Sequence, residues 1–202
     1  MYIPLVPRLI DHAAREVDVA EAAWRVLADR GVAALSVRTV AAEAGLATGS
    51  LRRAFPSQDA LLVFSLELVV QRVRDRVRHL VVPAPPPAPQ VAVLQELLPL
   101  DAGRRLEMEV FLHLAALAPR TGALRPVYDA AHAAIAAAVT TVLHALVDAG
   151  WARPELDVGA EAPRLHALLD GLALHLLRQD ATAPTGWATA VLDRHLQELA
   201  AG

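Results

Sequence analysis

Residues 36–55 read SVRTVAAEAGLATGSLRRAF. Four side chains near the end of this run, Thr48, Ser50, Arg52 and Arg53, are small polar or basic, and they are interspersed with the apolar Leu51 and Phe55. Hydroxyls and guanidinium forks presented together from one short helix are the groups that read base edges in a DNA major groove. An arginine bidentate to guanine contributes about 1–3 kcal/mol of discrimination.

Such a reading head needs two short helices held at a fixed angle, and the same residues supply them. Ser36 is a good N-cap for a helix ending near Ala44. Gly45 breaks it, as a residue that tolerates positive φ in a tight turn. The second helix is predicted over Thr48 to Ala54 and ends before Pro56. Ala41 is small where the helices must approach, and Val40, Leu46, Leu51 and Phe55 are apolar where they meet each other and a preceding helix. This is the spacing of a helix–turn–helix. A plain helical hairpin in a bundle has the same glycine and apolar pattern.

The preceding helix is predicted from Asp11 to Asp29, with Ala20, Ala23, Trp24 and Leu27 on one face and Gly31 as its stop. After Ser57, a second N-cap, Leu61, Leu62, Leu66, Val69, Val73, Val77 and Leu80 mark a long helix. Five prolines within residues 83–89 make a stiff, extended connector. Five further helices are predicted: Val91 to Leu98, Asp101 to Ala118, Leu124 to Ala149, Val158 to Arg178 and Thr185 to Leu199. Alanine supplies about a fifth of the chain and is the best helix former. No stretch alternates as a strand would, so an all-α fold of about nine helices is expected.

What is missing narrows the chemistry. The chain has no Cys and no Lys, which excludes thiol nucleophiles, thiolate metal sites, Schiff-base chemistry and a phosphate-loop lysine. His113, His132, His144, His166 and His175 include no i,i+3 or i,i+4 pair, so no metal motif is expected. The serines at 36, 50, 57 and 65 form no nucleophile elbow or triad. An enzyme is not expected, and no cofactor is implied. No run of eighteen or more apolar residues is present, which argues against a membrane span. The N-terminal MYIPLVPRLIDH does not read as a signal peptide, so a cytoplasmic location is expected. Residues 1–80 carry 11 Arg and 9 acids, a net of +2, while residues 81–202 carry 8 Arg and 13 acids, a net of −5. The acidic, apolar second part suits a small-molecule or protein partner rather than DNA.

Residues 20–62, AEAAWRVLADRGVAALSVRTVAAEAGLATGSLRRAFPSQDALL, resemble the DNA-binding domain of TetR-family transcriptional regulators. LLPLDAGRRLEMEVFL (97–112) and RLHALLDGLALHLL (164–177) resemble its BetI-like subgroup. The resemblance implies a DNA-binding domain over 1–56 and a ligand-binding and dimerisation domain over 57–202, with the proline-rich connector inside the latter. It assigns DNA contact to Arg38, Thr39, Thr48, Ser50, Arg52 and Arg53. Ala47, Ala54 and Gln58 depart from the family's Ser or Thr, Tyr or His, and Lys at those positions.

In the family a ligand pocket opens among the fourth to eighth helices. Met108, Phe111, Tyr128, His132 and His166 are the candidate lining residues here, each with an ordinary core or surface reading beside it. The last two helices are apolar on more than one face. Leu165, Leu169, Leu172 and Leu176 form one stripe, and Trp187, Val191 and His195 lie along one side of the final helix. The resemblance implies a twofold interface there, with Leu169, Gly171, Leu172, Leu176, Trp187, Val191 and His195 as contacts. Burial of both stripes within one chain is the other reading. The expected function is a homodimeric repressor on a near-palindromic double-stranded DNA operator, released by an unidentified small-molecule effector. The alternative is a protein of the same fold with weakened DNA binding, acting mainly through a ligand or protein partner.

Overall fold

Side-chain caps set where the helices begin. Ser36, Ser57, Asp101 and Asp157 each accept a hydrogen bond from the backbone N–H three residues on, at 3.1, 3.1, 2.9 and 3.1 Å. The computed structural model describes residues 12–200, with side chains from residue 17 onward. Among these residues there are nine α-helices. They are α1 (His12–Arg30), α2 (Val37–Glu43), α3 (Thr48–Ala54), α4 (Gln58–His79), α5 (Ala88–Gln95), α6 (Ala102–Leu117), α7 (Leu124–Asp148), α8 (Val158–Arg178) and α9 (Gly186–Gln197). Single 3₁₀ turns follow α1 and α6, over Val32–Ala34 and Ala118–Arg120. An isolated antiparallel bridge, Ala152 to Ala200, is the only β pairing among the described residues. The fold is all-α, as expected. The expected helix start at Asp11 and the N-terminal segment lie outside the described residues.

One element is shifted from its expected place. The helix expected over Val91 to Leu98 runs over Ala88–Gln95, so it begins inside the proline-rich run. Pro89 lies in its first turn, where the missing N–H would have had no intrahelical partner. Residues 96–98 leave the helix through tighter bonds, including Leu98 N–H to Gln95 O at 3.1 Å.

Apolar side chains gather in two cores. The first joins α1 through Val19, Ala23, Trp24 and Leu27 to Val40 and Leu51 of the α2–α3 unit. It continues through Leu61, Leu62, Leu66 and Val69 of α4 to Val110 and Leu114 of α6. Trp24 is fully buried, and its indole N–H donates to the Ser65 carbonyl at 3.2 Å. The second core joins Leu94 of α5, Val139, Leu143 and Leu146 of α7, Leu165, Leu169 and Leu172 of α8, and Ala188, Leu192 and Leu196 of α9.

By length and hydropathy alone, α7 could cross a membrane. In the fold it is instead a bundle helix, packed against α8, α4, α5 and α6. Its alanines let neighbours approach, and Val139, Val142, Leu143 and Leu146 are buried. It ends at Gly150, whose φ of 68° allows Trp151 N–H to bond Leu146 O at 3.0 Å and Gly150 N–H to bond Val147 O at 2.8 Å.

The end of α8 is closed by an arginine from α6. Arg105 donates to the Leu176, Leu177 and Gln179 carbonyls at 2.9, 2.6 and 2.8 Å. The Leu176 carbonyl also accepts the Gln179 N–H at 3.2 Å, but carbonyls this close to a helix end otherwise lack partners along the chain. Replacing Arg105 by Gln is expected to cost about 2 kcal/mol. Calorimetry should show this as a Tm lowered by roughly 4–8 °C. A Tm matching the parent's would show that water serves those carbonyls equally well.

Candidate nucleic-acid interface and ligand core

The turn between α2 and α3 is set by backbone bonds that only a left-handed residue permits. Gly45 has φ 65°, Gly45 N–H bonds Ala42 O at 3.2 Å, and Leu46 N–H bonds Ala41 O at 2.8 Å. This is a Schellman closure of α2. Leu51 and Phe55 then anchor the inner face of α3 in the first core, with the Phe55 ring 4.9 Å from Phe64 of α4.

With Leu51 turned inward, Thr48, Arg52 and Arg53 are exposed and Ser50 is half-buried. Arg38 is exposed on α2. The Thr39 hydroxyl lies 2.7 Å from Ser36 Oγ, so its first partner is the cap itself. The charges nearby are arranged unevenly. Arg25 and Arg30 of α1 both bind the Glu43 carboxylate, at 3.1 and 3.0 Å. Arg38, Arg52 and Arg53 have no acidic partner among the described residues. Three exposed arginines without an acidic partner among the described residues thus lie on α2 and α3. Glu43 was not singled out from sequence, because its partners lie 13 and 18 positions away.

Two of the expected departures have local consequences. Ala47 occupies the α3 N-cap without a side-chain hydrogen bond. Gln58 donates to the Val32 carbonyl at 3.4 Å and so ties α4 to the turn after α1. Ala47→Ser is expected to supply the missing cap and stabilise the fold by about 1 kcal/mol. The Tm should rise by roughly 2–4 °C. No rise would mean that Thr48 or water already satisfies the first α3 amides.

Four of the five candidate ligand residues form a continuous row across three helices. Phe111 of α6 lies 5.9 Å from Tyr128 of α7, Tyr128 lies 6.2 Å from His132, and His132 lies 4.8 Å from His166 of α8, between ring centroids. Phe111 and Tyr128 are half-buried, His132 is exposed, and His166 is buried. The His166 Nε2 has no hydrogen-bond partner, with the Asp170 carboxylate 3.9 Å away. Met108 sits one turn before Phe111 on α6 and packs against the second core.

The residues expected at a dimer face divide into two groups. Leu169, Leu172 and Leu176 are buried in the protomer's own second core, at 3%, 5% and 2% exposure. That burial leaves them almost no surface for a partner. His195 faces Glu161 of α8, with Nε2 3.0 Å from Oε1, and Arg164 binds the same carboxylate at 2.9 Å. It therefore packs against α8 of its own chain. Trp187 is half-buried and donates to the Gln179 side chain at 3.0 Å. Val191 is exposed at 41%, and Leu174, which the sequence reading did not select, at 49%. A Cβ at Gly171 would meet nothing within 4 Å, so no contact inside the chain explains that glycine.

Known proteins match at both ends of this geometry. Residues 19–63 match the family model described as bacterial regulatory proteins, tetR family, and residues 86–201 match the BetI-type transcriptional repressor, C-terminal model. The HTH-type transcriptional regulator PksA of Bacillus subtilis (strain 168) is 34% identical over 195 residues, covering 96% of this chain and 94% of that protein. The chain belongs to the TetR family of transcriptional regulators.

Two solved structures of transcriptional regulators share the architecture. A transcriptional regulator from Rhodococcus sp. Rha1 superposes with a TM-score of 0.77 at 27% identity, covering 91% of this chain and 95% of that one. A regulator from Saccharomonospora viridis in complex with choline superposes with a TM-score of 0.75 at 25% identity, covering 92% and 96%. In this TetR-family chain the helix–turn–helix is the α2–α3 unit, and α5 to α9 form the helical core.

Proposed function

We propose that this TetR-family regulator is a cytoplasmic, homodimeric repressor of the BetI-type subgroup. Residues 1–56 read DNA, and residues 57–202 bind an effector and dimerise. Arg38, Thr48, Ser50, Arg52 and Arg53 contact the operator, with Thr39 closing the α2 cap beside the phosphates. The observation that carries this reading is the set of three arginines on α2 and α3 with no acidic partner among the described residues, beside two α1 arginines that share the one Glu43 carboxylate. An unpaired guanidinium on an exposed helix face is available to phosphate and base acceptors.

The effector is a small molecule that docks along Phe111, Tyr128, His132 and His166, with Met108 at the row's α6 end. The row offers π faces, and the unpartnered His166 Nε2 offers one polar anchor. Docking there tilts α4 and changes the separation of the two α3 helices in the dimer. Coupling is reciprocal, so operator DNA weakens effector binding by the same factor.

The dimer face consists of the outward sides of α8 and α9 around Gly171, Leu174, Trp187 and Val191. A twofold axis there presents the two α3 helices to half-sites about one DNA turn apart. Selection of bound fragments from the source genome by the purified protein tests the whole reading. A recovered near-palindrome is the expected result. Failure to enrich any sequence at low salt would favour a ligand- or partner-directed protein with weakened DNA binding, for which the uncapped Ala47 is the structural motive.

A further inference from the structure

One buried carboxylate stands where three helices meet, and the repressor reading gives it no role. Glu107 of α6 is 5% exposed. Arg76 of α4 binds it with Nη1 2.8 Å from Oε2, and Arg72, one turn earlier on α4, places Nη1 3.8 Å from Oε1. Arg72 also binds Glu21 of α1, and its guanidinium lies 4.7 Å from the Trp24 ring centroid. Arg76 reaches on to Glu96, which closes α5, at 2.7 Å. Arg104 then ties Glu96 to Asp101 at the head of α6, at 3.3 and 2.7 Å. The charges form a strut running from the effector-side helix α6, through α4, into α1 of the DNA-reading unit.

Burial pushes the Glu107 carboxyl above the ordinary range, against the pull of Arg76 and Arg72. Ionising a group in such a place adds little to net stability. Its geometric effect is larger, because a charged fork restricts position and angle where apolar packing tolerates sliding. Glu107 is also adjacent to Met108 and one turn before Phe111 on α6. A shift of α6 at the aromatic row must therefore move the anchor of Arg72 and Arg76.

We infer that Glu107 is a positioning residue: through Arg72 and Arg76 it sets the attitude of the α1–α3 reading unit relative to the effector core. The inference rests on the repressor reading for its biological use, though the physical coupling stands apart from it. Arg72 makes the link direct, since α1 belongs to the reading unit and its far partner belongs to α6. Removing the Glu107 charge leaves each arginine one acidic neighbour, Glu21 for Arg72 and Glu96 for Arg76. The first apolar core, which also joins α1 to α4 and α6, keeps the fold, while the charged anchor on α6 is lost.

The absence of cysteine makes the test clean. Spin labels at Ala42→Cys on α2 and Ala130→Cys on α7, both exposed positions, report the distance between reading unit and core in the full chain. Labelled chains are diluted with unlabelled ones so that only intrachain pairs contribute. Glu107→Gln is expected to broaden the distance distribution at least twofold. Arg72→Gln should broaden it as well, with the α4–α6 contact kept by Arg76. Arg125→Gln, which removes an exposed pair within α7 alone, should leave it unchanged.

If the genomic selection yields an operator, a second readout is its spacer. Glu107→Gln should flatten the preference among spacers lengthened or shortened by one or two base pairs at least tenfold, with half-site preference retained. Parent-like distance distributions in both Glu107→Gln and Arg72→Gln would overturn the inference, whatever DNA does. A parent that selects no operator, with the broadening still present in Glu107→Gln and Arg72→Gln, would instead overturn the repressor reading and leave the strut standing.

Discussion

The double substitution Arg52→Ala/Arg53→Ala is expected to abolish operator selection while leaving the fold intact. Both side chains are exposed on α3 and neither has an acidic partner among the described residues. Their removal therefore costs no internal contact, and alanine favours the helix slightly. Bidentate base contacts contribute about 1–3 kcal/mol each, so the pair accounts for roughly thirtyfold to twenty-five-thousandfold in specific affinity per reading head. Titration against the selected operator at several salt concentrations separates the two kinds of contact. If both arginines bind phosphate, affinity falls on all sequences alike and the log–log salt slope drops by about 0.9 per arginine. If one reads a guanine, discrimination at that base is lost while the slope changes less. Operator affinity within threefold of the parent's would remove α3 from the interface and sink the proposed contact set.

Gly171→Arg should convert the proposed dimer to monomers. The glycine is half-buried on α8, and apart from its own helix backbone nothing described lies within 4 Å of where a Cβ would stand. An arginine therefore fits the isolated protomer, and losing a mid-helix glycine favours α8 by up to about 1 kcal/mol. In a twofold interface crossing at this point the same side chain meets its own copy. Like charges set against each other across an interface cost several kcal/mol. Sedimentation should show a dimer dissociation constant raised on the order of a thousandfold. Palindrome affinity should fall with it, because two linked reading heads become independent ones. A variant that remains dimeric at nanomolar concentration would place the interface elsewhere.

The reading head was legible almost residue by residue. Ser36 caps α2, Gly45 takes positive φ, α3 spans Thr48 to Ala54, and Ser57 opens α4, each at its expected place. These features follow from rules that act over three to five residues: a hydroxyl reaching the third amide on, or a backbone that only glycine adopts without strain. The family resemblance added roles to positions that local physics had already shaped. Where a local rule was applied too strictly, the boundary moved: prolines end a helix but also begin one, and α5 starts within the proline-rich run.

The apolar faces of α8 show where local rules stop. Leu169, Leu172 and Leu176 lie on a stripe at helical spacing, as an inward face and a partner face both would. Only the packing of α5, α7 and α9 against that stripe decides that it points inward. The outward side falls to Gly171 and Leu174. The aromatic row has the same character. Tyr128 and His132 are four apart on one helix, but nothing local places Phe111 at one end and His166 at the other.

By itself, then, the sequence determined the helix count, the caps, the turn of the reading head and the residue types on its exposed side, because these depend on near neighbours and on composition. Tertiary structure alone decided which of the described arginines pair with carboxylates, which leucines are core, and which carboxylate of α6 anchors the α4 arginines. Those outcomes depend on pairs such as Arg72 with Glu21 and Arg105 with Leu176, 51 and 71 positions apart. Coulomb attraction and burial act across space, and no periodicity along the chain encodes which distant partners the fold will bring together.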